Sequence, residues 1–171
     1  MGDNGKVSNN GSAPQEERYG PIYTAMLQFF EEDNWNFKPL EDQPVLRMGF
    51  QGDNGNWACF ARARDESQRF IFYSSLELRV PAAKRPDVAE FLTRANYGML
   101  IGNFEMDYAD GEVRYRTSVD VEGSELVQTM IKNIVYVNVL MMDKYLPGLM
   151  SVIYAGVSPQ EAIEKVEAPE E

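Results

Sequence analysis

The sequence predicts an α+β domain in which an antiparallel sheet packs against helices, with elements in the order α-β-β-β-α-β-β-α. Two patterns and their arrangement carry this reading. Apolar side chains alternate with polar ones in "PVLRMGFQ", "NWACFARAR", "RFIFYSSLELRV" and Phe104 to Val121, the period of a half-buried strand. They recur at helical spacing from Pro21 to about Glu32, from Pro86 to about Gly98, and again beyond Ser124. The order in which these stretches follow one another gives the element order.

The chain has 171 residues, which defaults to one domain with a core of its own. Residues 1–19, rich in Gly, Asn and Ser, are expected to form a disordered tail because they carry too little apolar surface to offset the entropy of ordering. The domain is expected over residues 20–165, followed by an acidic C-terminal tail at 166–171. In the first helix Pro21 suits a first turn, and Ile22, Tyr23, Met26, Leu27, Phe29 and Phe30 mark its buried face. "NWNFKPLEDQP" ends it.

The next two strands flank "GDNGN", and Asn54-Gly55 is a short-hairpin signal because a type I′ turn needs positive φ at both central residues. A two-residue loop there pairs Phe50 with Cys59, Met48 with Ala61 and Leu46 with Ala63, making one face wholly apolar. The third strand adds Phe70, Phe72 and Leu76 to that face. In the second helix Val88, Phe91, Leu92 and Ala95 follow i, i+3, i+4, i+7, and Gly98 supplies a stop.

In "FEMDYADGEVRYRTSVDV" a two-residue Asp110-Gly111 turn sets Asp107 beside Arg114 and Glu105 beside Arg116, so acids and arginines form a ladder on the wet face. Such a ladder aligns the strands and is worth ~0.2–1 kcal/mol per pair. A calcium loop is the other reading, but "DYADGE" has Ala where the second ligand belongs and lacks the distal Glu.

The last long helix is expected from Ser124, its N-cap, to a break at Pro147-Gly148. Its apolar residues form two stripes. One contains Val127, Met130, Ile131, Ile134, Asn138, Met141 and Tyr145; the other contains Leu126, Val135, Val139, Met142 and Leu146. A helix apolar over so much of its girth is either the central core helix or is shared with a second copy. The expectation here is a homodimer with Val135, Val139, Met142 and Leu146 at its interface. "SPQEAIEKV" ends the chain's structure with a capping box, Ser158 at the N-cap and Glu161 three residues on.

Composition removes several function classes. There is no histidine, the commonest general base near neutral pH and the commonest transition-metal ligand. The single cysteine, Cys59, falls mid-strand on the apolar face and reads as a buried, inert thiol. No Walker, GxGxxG or GxSxG motif is present, so no cofactor, metal or catalytic residue is assigned. With 27 acids against 16 bases the net charge is −11, which disfavours nucleic acid and anionic membrane as partners. No stretch is long and apolar enough for a bilayer span, and the N-terminus lacks a signal-peptide core, so the expected compartment is the cytoplasm.

A binding surface is nevertheless readable. Opposite the apolar face, the first three strands gather Arg47, Phe60, Arg62, Arg64, Ile71 and Tyr73. Arginines beside aromatics suit a protein or peptide partner, which the acidic chain favours over RNA; a second element or sister subunit covering them is the bland account. Gly98, Gly102 and Asn103 in "NYGMLIGNF" read as turn and backbone-bonding residues before they read as a ligand loop.

The motifs "EFLTRANYG", "ANYGMLIGNFEMDYADGEVRYRTSVDVEG", "IKNIVYVNVLMMDKYLPGLMSVIYAG" and "SPQEAI" resemble the YbjN family of bacterial sensory transduction regulators, especially its cyanobacterial members. The resemblance covers about residues 20–165 and is densest in 91–163. It implies a type III secretion chaperone-like fold, whose members usually dimerise and bind segments of other proteins, and it brings no catalytic motif. The resulting expectation is a non-catalytic protein-binding module, a chaperone-like or regulatory adaptor; the alternative is a small-molecule-sensing domain or an enzyme with an unmarked site.

Overall fold

The computed structural model describes residues 19–169; the expected N-terminal tail, apart from Tyr19, and residues 170–171 lie outside them. The elements are α1 (Pro21–Glu32), β1 (Phe37–Pro39), β2 (Val45–Gln51), β3 (Asn56–Arg64), β4 (Arg69–Arg79), α2 (Arg85–Asn96), β5 (Asn103–Met106), β6 (Glu112–Asp120), α3 (Gln128–Tyr154) and α4 (Pro159–Glu167). The expected order holds, with a three-residue edge strand, β1, added where "NWNFKPLEDQP" was read only as a helix end. The strands form one antiparallel sheet in the order β1-β2-β3-β4-β6-β5.

One face of this sheet is the floor of the core. Leu46, Met48, Cys59, Ala61, Phe70, Phe72, Val113 and Tyr115 are buried in a single cluster with Tyr23, Met26 and Phe30 of α1, Phe91 of α2 and the inner side of α3. Phe30 stacks on Phe72 at 6.0 Å, and Trp35 stacks on Phe50 at 5.6 Å. The amino end of α1 is held by Asp65, whose Oδ1 accepts from Ile22 N at 2.7 Å.

Both hairpins keep the expected faces and shift the expected partners by two residues. Phe50 pairs with Trp57, Met48 with Cys59 and Leu46 with Ala61; Met106 pairs with Val113, Glu105 with Arg114 and Phe104 with Tyr115. The loops have four residues, Gly52–Gly55, and five, Asp107–Gly111, in place of two each, because the turn side chains have other work. Asn54 docks on α3, its main-chain N–H donating to Asp143 Oδ1 at 2.9 Å and its Nδ2 to the Asp143 carbonyl at 3.2 Å. Asp107 and Asp110 turn back on their own loop, accepting from Ala109 N and Glu112 N, each at 2.8 Å.

α3 starts at Gln128, four residues after Ser124, and runs through Pro147 to Tyr154. The expected break is absent for a specific reason. Proline removes the N–H that would have reached the Asp143 carbonyl, and Asn54 Nδ2 supplies the missing donor from the β2–β3 loop. Gly148, next along, is buried where α2 and α4 press closest: a Cβ there would lie 2.6 Å from Val166 and 3.0 Å from the Phe91 ring.

The dimer interface expected at Val135, Val139, Met142 and Leu146 does not stand, because all four are buried inside the single chain. α3 packs on β4 and β6 along one side and on α1, α2 and α4 along others, which buries the second stripe and all of the first but its amino end, where Val127 and Met130 are exposed, and Met141, which is half-buried. Ser158 caps α4 as expected, accepting from Glu161 N at 3.2 Å, while the Glu161 carboxylate pairs with Lys165. α4 continues to Glu167, past the domain end expected at 165, and Tyr145 on α3 donates to Glu167 Oε1 at 2.8 Å.

Candidate functional site

Among the described residues no helix packs on the sheet's second face, and the side chains on it fall outside the core cluster. Strand alternation places all six residues singled out from sequence there. Cross-strand register aligns them in rows: Lys38, Arg47, Phe60, Tyr73 and Arg116 in one; Val45, Arg62, Ile71 and Ser118 in the next; Arg64, Arg69 and Asp120 beyond. Phe60, Ile71 and Tyr73 are therefore neighbours, half-buried, and edged by Arg47 across the strand and Arg62 along it.

The row on the other side of Phe60 is small: Gly49, Ala58 and Ser75 lie opposite one another. A Cβ added at Gly49 would meet nothing within 4 Å, so the sheet is dished there. A shallow groove of about 680 Å³ opens at this end, walled by Lys38, Arg47, Gln51, Asn56 and Glu77 over Gly49 and Ala58. Gly49, Lys38 and Ser75 were not singled out from sequence. A glycine inside an alternating strand opposite an alanine is the available signal, since it removes packing without serving a turn.

Charge on this face runs against the chain. Its cations are Lys38, Arg47, Arg62, Arg64, Arg69, Arg79, Arg114 and Arg116, and its acids are Glu77, Glu105, Glu112 and Asp120, whereas acids outnumber bases 27 to 16 in the whole sequence. The acids are engaged. Glu105 bridges Arg114 at 2.8 Å and Arg116 at 2.7 Å, Asp120 pairs with Arg69 at 2.8 Å, and Glu112 accepts from the Ser75 hydroxyl at 2.8 Å. Arg79 takes Asp110 at 3.2 Å. Lys38, Arg62 and Arg64 have no ion-pair partner among the described residues, and Arg47 reaches Glu77 only at 3.8 Å. The acid–base ladder expected for β5 and β6 thus exists in altered form: Glu105 serves both arginines, and Asp107 is spent on its own turn.

Environment follows from these contacts. Burial works against the Arg114 charge, yet the hydrogen bond and charge of Glu105 outweigh it and hold the guanidinium above its ordinary value. The same guanidinium lies over the Tyr73 ring, 4.6 Å from its centroid. Asp120 is held below the usual carboxylate range, first by the Glu122 N–H and then by Arg69.

Cys59 is on the opposite, buried face, and burial pushes its thiol up to about 12 despite hydrogen bonds from Ser74 and Trp57. Among the described residues, no three His, Cys, Asp or Glu side chains gather as a metal site needs. In "NYGMLIGNF" the asparagines serve the backbone, Asn96 accepting from Phe104 N at 2.7 Å and donating to its carbonyl at 3.1 Å, while Tyr97, Leu100 and Ile101 are exposed. No helix among the described residues is long and apolar enough to cross a membrane.

Residues 24–161 match the model of the YbjN family, described as "Putative bacterial sensory transduction regulator". The crystal structure of YbjN from E. coli, described as "a putative transcription regulator", is similar with a TM-score of 0.53 at 14% identity, over 80% of this chain and 91% of that one. A chain in the HopA1-SchA chaperone-effector complex has a TM-score of 0.49 at 13% identity, over 71% of this chain and 91% of that one. No curated protein matches the chain.

Proposed function

This chain belongs to the YbjN family, and from that premise we propose that it is a non-catalytic protein-binding module, a regulatory or chaperone-like adaptor that docks its partner on the uncovered sheet face. One observation carries the reading: an apolar patch of Phe60, Ile71 and Tyr73 beside a dished row of small residues, edged by cations of which Lys38, Arg62 and Arg64 have no ion-pair partner among the described residues. Interfaces place aromatics and arginines together in this way, with a partly apolar centre and a polar rim. A small-ligand sensor or an enzyme finds less support, because the groove is shallow where ligand sites enclose most of their occupant.

The motifs at residues 91–163 support the cyanobacterial branch of the family, and a lone buried thiol suits the reducing cytoplasm. The docking face is complete within one chain, so the reading needs no homodimer; mass in dilute solution decides that separate proposal.

Gly49→Phe tests the reading. The new ring fills the dish without touching the core, and β2 tolerates any side chain at that position. Affinity capture with the wild type is expected to return one reproducible protein partner, lost from Gly49→Phe and from Arg62→Ala/Tyr73→Ser, with unchanged thermal melting in all three. Equal capture by all three overturns it.

A further inference from the structure

We infer that the uncovered sheet face takes an acidic protein segment: an extended stretch carrying carboxylates around one aromatic or aliphatic anchor. The inference rests on the docking reading above and adds the chemistry of the occupant. Lys38, Arg62 and Arg64 have no ion-pair partner among the described residues, and Arg47 has a loose one. Arg47 and Arg62 adjoin Phe60, Arg62 faces Ile71, Lys38 lies beyond Arg47 in the same row, and Arg64 stands directly opposite Arg69, a like-charge pairing that a strand tolerates poorly without an anion nearby. Asp120 offsets Arg69 and leaves the Arg64 charge standing. A carboxylate from outside meets the unfilled half of each pairing, and an apolar side chain between two such carboxylates lands on Phe60 and Ile71.

Two observations favour a protein over a nucleic acid. Successive bases need successive free ring faces, and one face of Tyr73 already carries the Arg114 guanidinium at 4.6 Å. A net charge of −11 also opposes a polyanion with a phosphate every few ångströms far more than it opposes a peptide with a few carboxylates.

The experiment pans a random displayed peptide library against the full chain, against Arg47→Glu/Arg62→Glu and against Gly49→Phe, then measures the enriched peptides as labelled synthetic copies beside a labelled poly-dT strand. Wild type is expected to enrich acidic peptides with a central apolar residue. Their affinity should fall roughly tenfold or more in the charge-reversed variant and weaken with added salt. Neutral peptides that enrich and are lost only from Gly49→Phe overturn the acidic class and leave the docking face standing. Acidic peptides that bind all three proteins alike overturn the face itself. Tighter binding of poly-dT, or no enrichment at all, overturns the inference. Should the double reversal fail to fold, Arg47→Gln/Arg62→Gln is expected to weaken the acidic peptides in the same direction, about threefold to tenfold.

Discussion

Asn138 is the place where a single atom tests how the central helix is pinned to the sheet. It is fully buried on α3, and its Nδ2 lies 3.0 Å from the Phe72 carbonyl, 3.2 Å from the Tyr115 carbonyl and 3.1 Å from Thr117 Oγ1, while its Oδ1 has no partner. Asn138→Asp keeps shape and volume and replaces a donor by an acceptor facing two carbonyls. The Thr117 hydroxyl cannot answer, because it already donates to the Ile134 carbonyl at 2.9 Å. A protonated carboxyl still has one O–H to offer a carbonyl, so one hydrogen bond at about 1 kcal/mol is lost. The carboxyl must also stay protonated or bury a charge: holding it neutral at pH 7 against an ordinary value near 3.9 costs about 4 kcal/mol, an upper limit if the site relaxes. Total destabilisation of up to about 5 kcal/mol at pH 7 consumes much of a typical domain's stability. The sign is fixed: the folded carboxyl titrates above its unfolded value, so its stability is present at low pH and lost as pH rises. Going from pH 7 to pH 5 should therefore return about 2–3 kcal/mol relative to wild type. Urea unfolding followed by Trp35 and Trp57 fluorescence measures both numbers. A cost below about 1 kcal/mol, unchanged between the two pH values, would refute the pinning argument. Asn138→Leu removes the orphaned oxygen but also the donor to the Phe72 and Tyr115 carbonyls, and is expected to cost about 1–3 kcal/mol with no difference between pH 7 and pH 5.

Three further outcomes follow from neighbouring contacts. Asn54→Ala should cost about 0.5–1.5 kcal/mol, and less in a Pro147→Ala background, where the restored backbone N–H satisfies the Asp143 carbonyl; additive costs in a double-mutant cycle refute the exchange. Cys59, pushed up to about 12 by burial, stays protonated in the fold while the unfolded chain ionises near 9, so the wild type's advantage over Cys59→Ala should shrink by about 1.4 kcal/mol per pH unit above 9 in alkaline urea titrations, and parallel curves refute it. Gly148→Val should destabilise by about 2 kcal/mol or more, since the buried Phe91 ring cannot retreat, and Val166→Ala should recover part of the loss.

What was legible in the sequence divides along a physical line. Side-chain parity decides which face a strand residue occupies, so Arg47, Phe60, Arg62, Arg64, Ile71 and Tyr73 were readable as one surface even with both hairpin registers displaced by two. An even displacement preserves faces and changes partners, which is why the surface survived while the pairing of Asp107 with Arg114 did not. Loop length depended on contacts between distant residues: Asn54 reaches Asp143 across 89 positions, and nothing local to "GDNGN" signals it. The same contact hid the continuity of α3 through Pro147. The two apolar stripes were ambiguous because periodicity counts buried faces and says nothing of whether a helix or a second chain buries them.

The division also explains why charge marks the candidate face better than any motif. An acidic protein gains solubility from carboxylates on almost any exposed surface, so a face that gathers half the sequence's bases runs against the composition around it. Register alone does not account for it. The pairs that align β5 and β6 use Arg114 and Arg116, and Asp120 completes Arg69, while Arg62 and Arg64 align nothing. A strand needs one polar residue at each outward position, and serine or threonine serves at lower cost in side-chain entropy than an unpaired arginine beside an arginine. Guanidinium groups without an ion-pair partner among the described residues, next to half-buried rings on the sheet face that the described helices leave open, are what remains when these requirements of folding have been met.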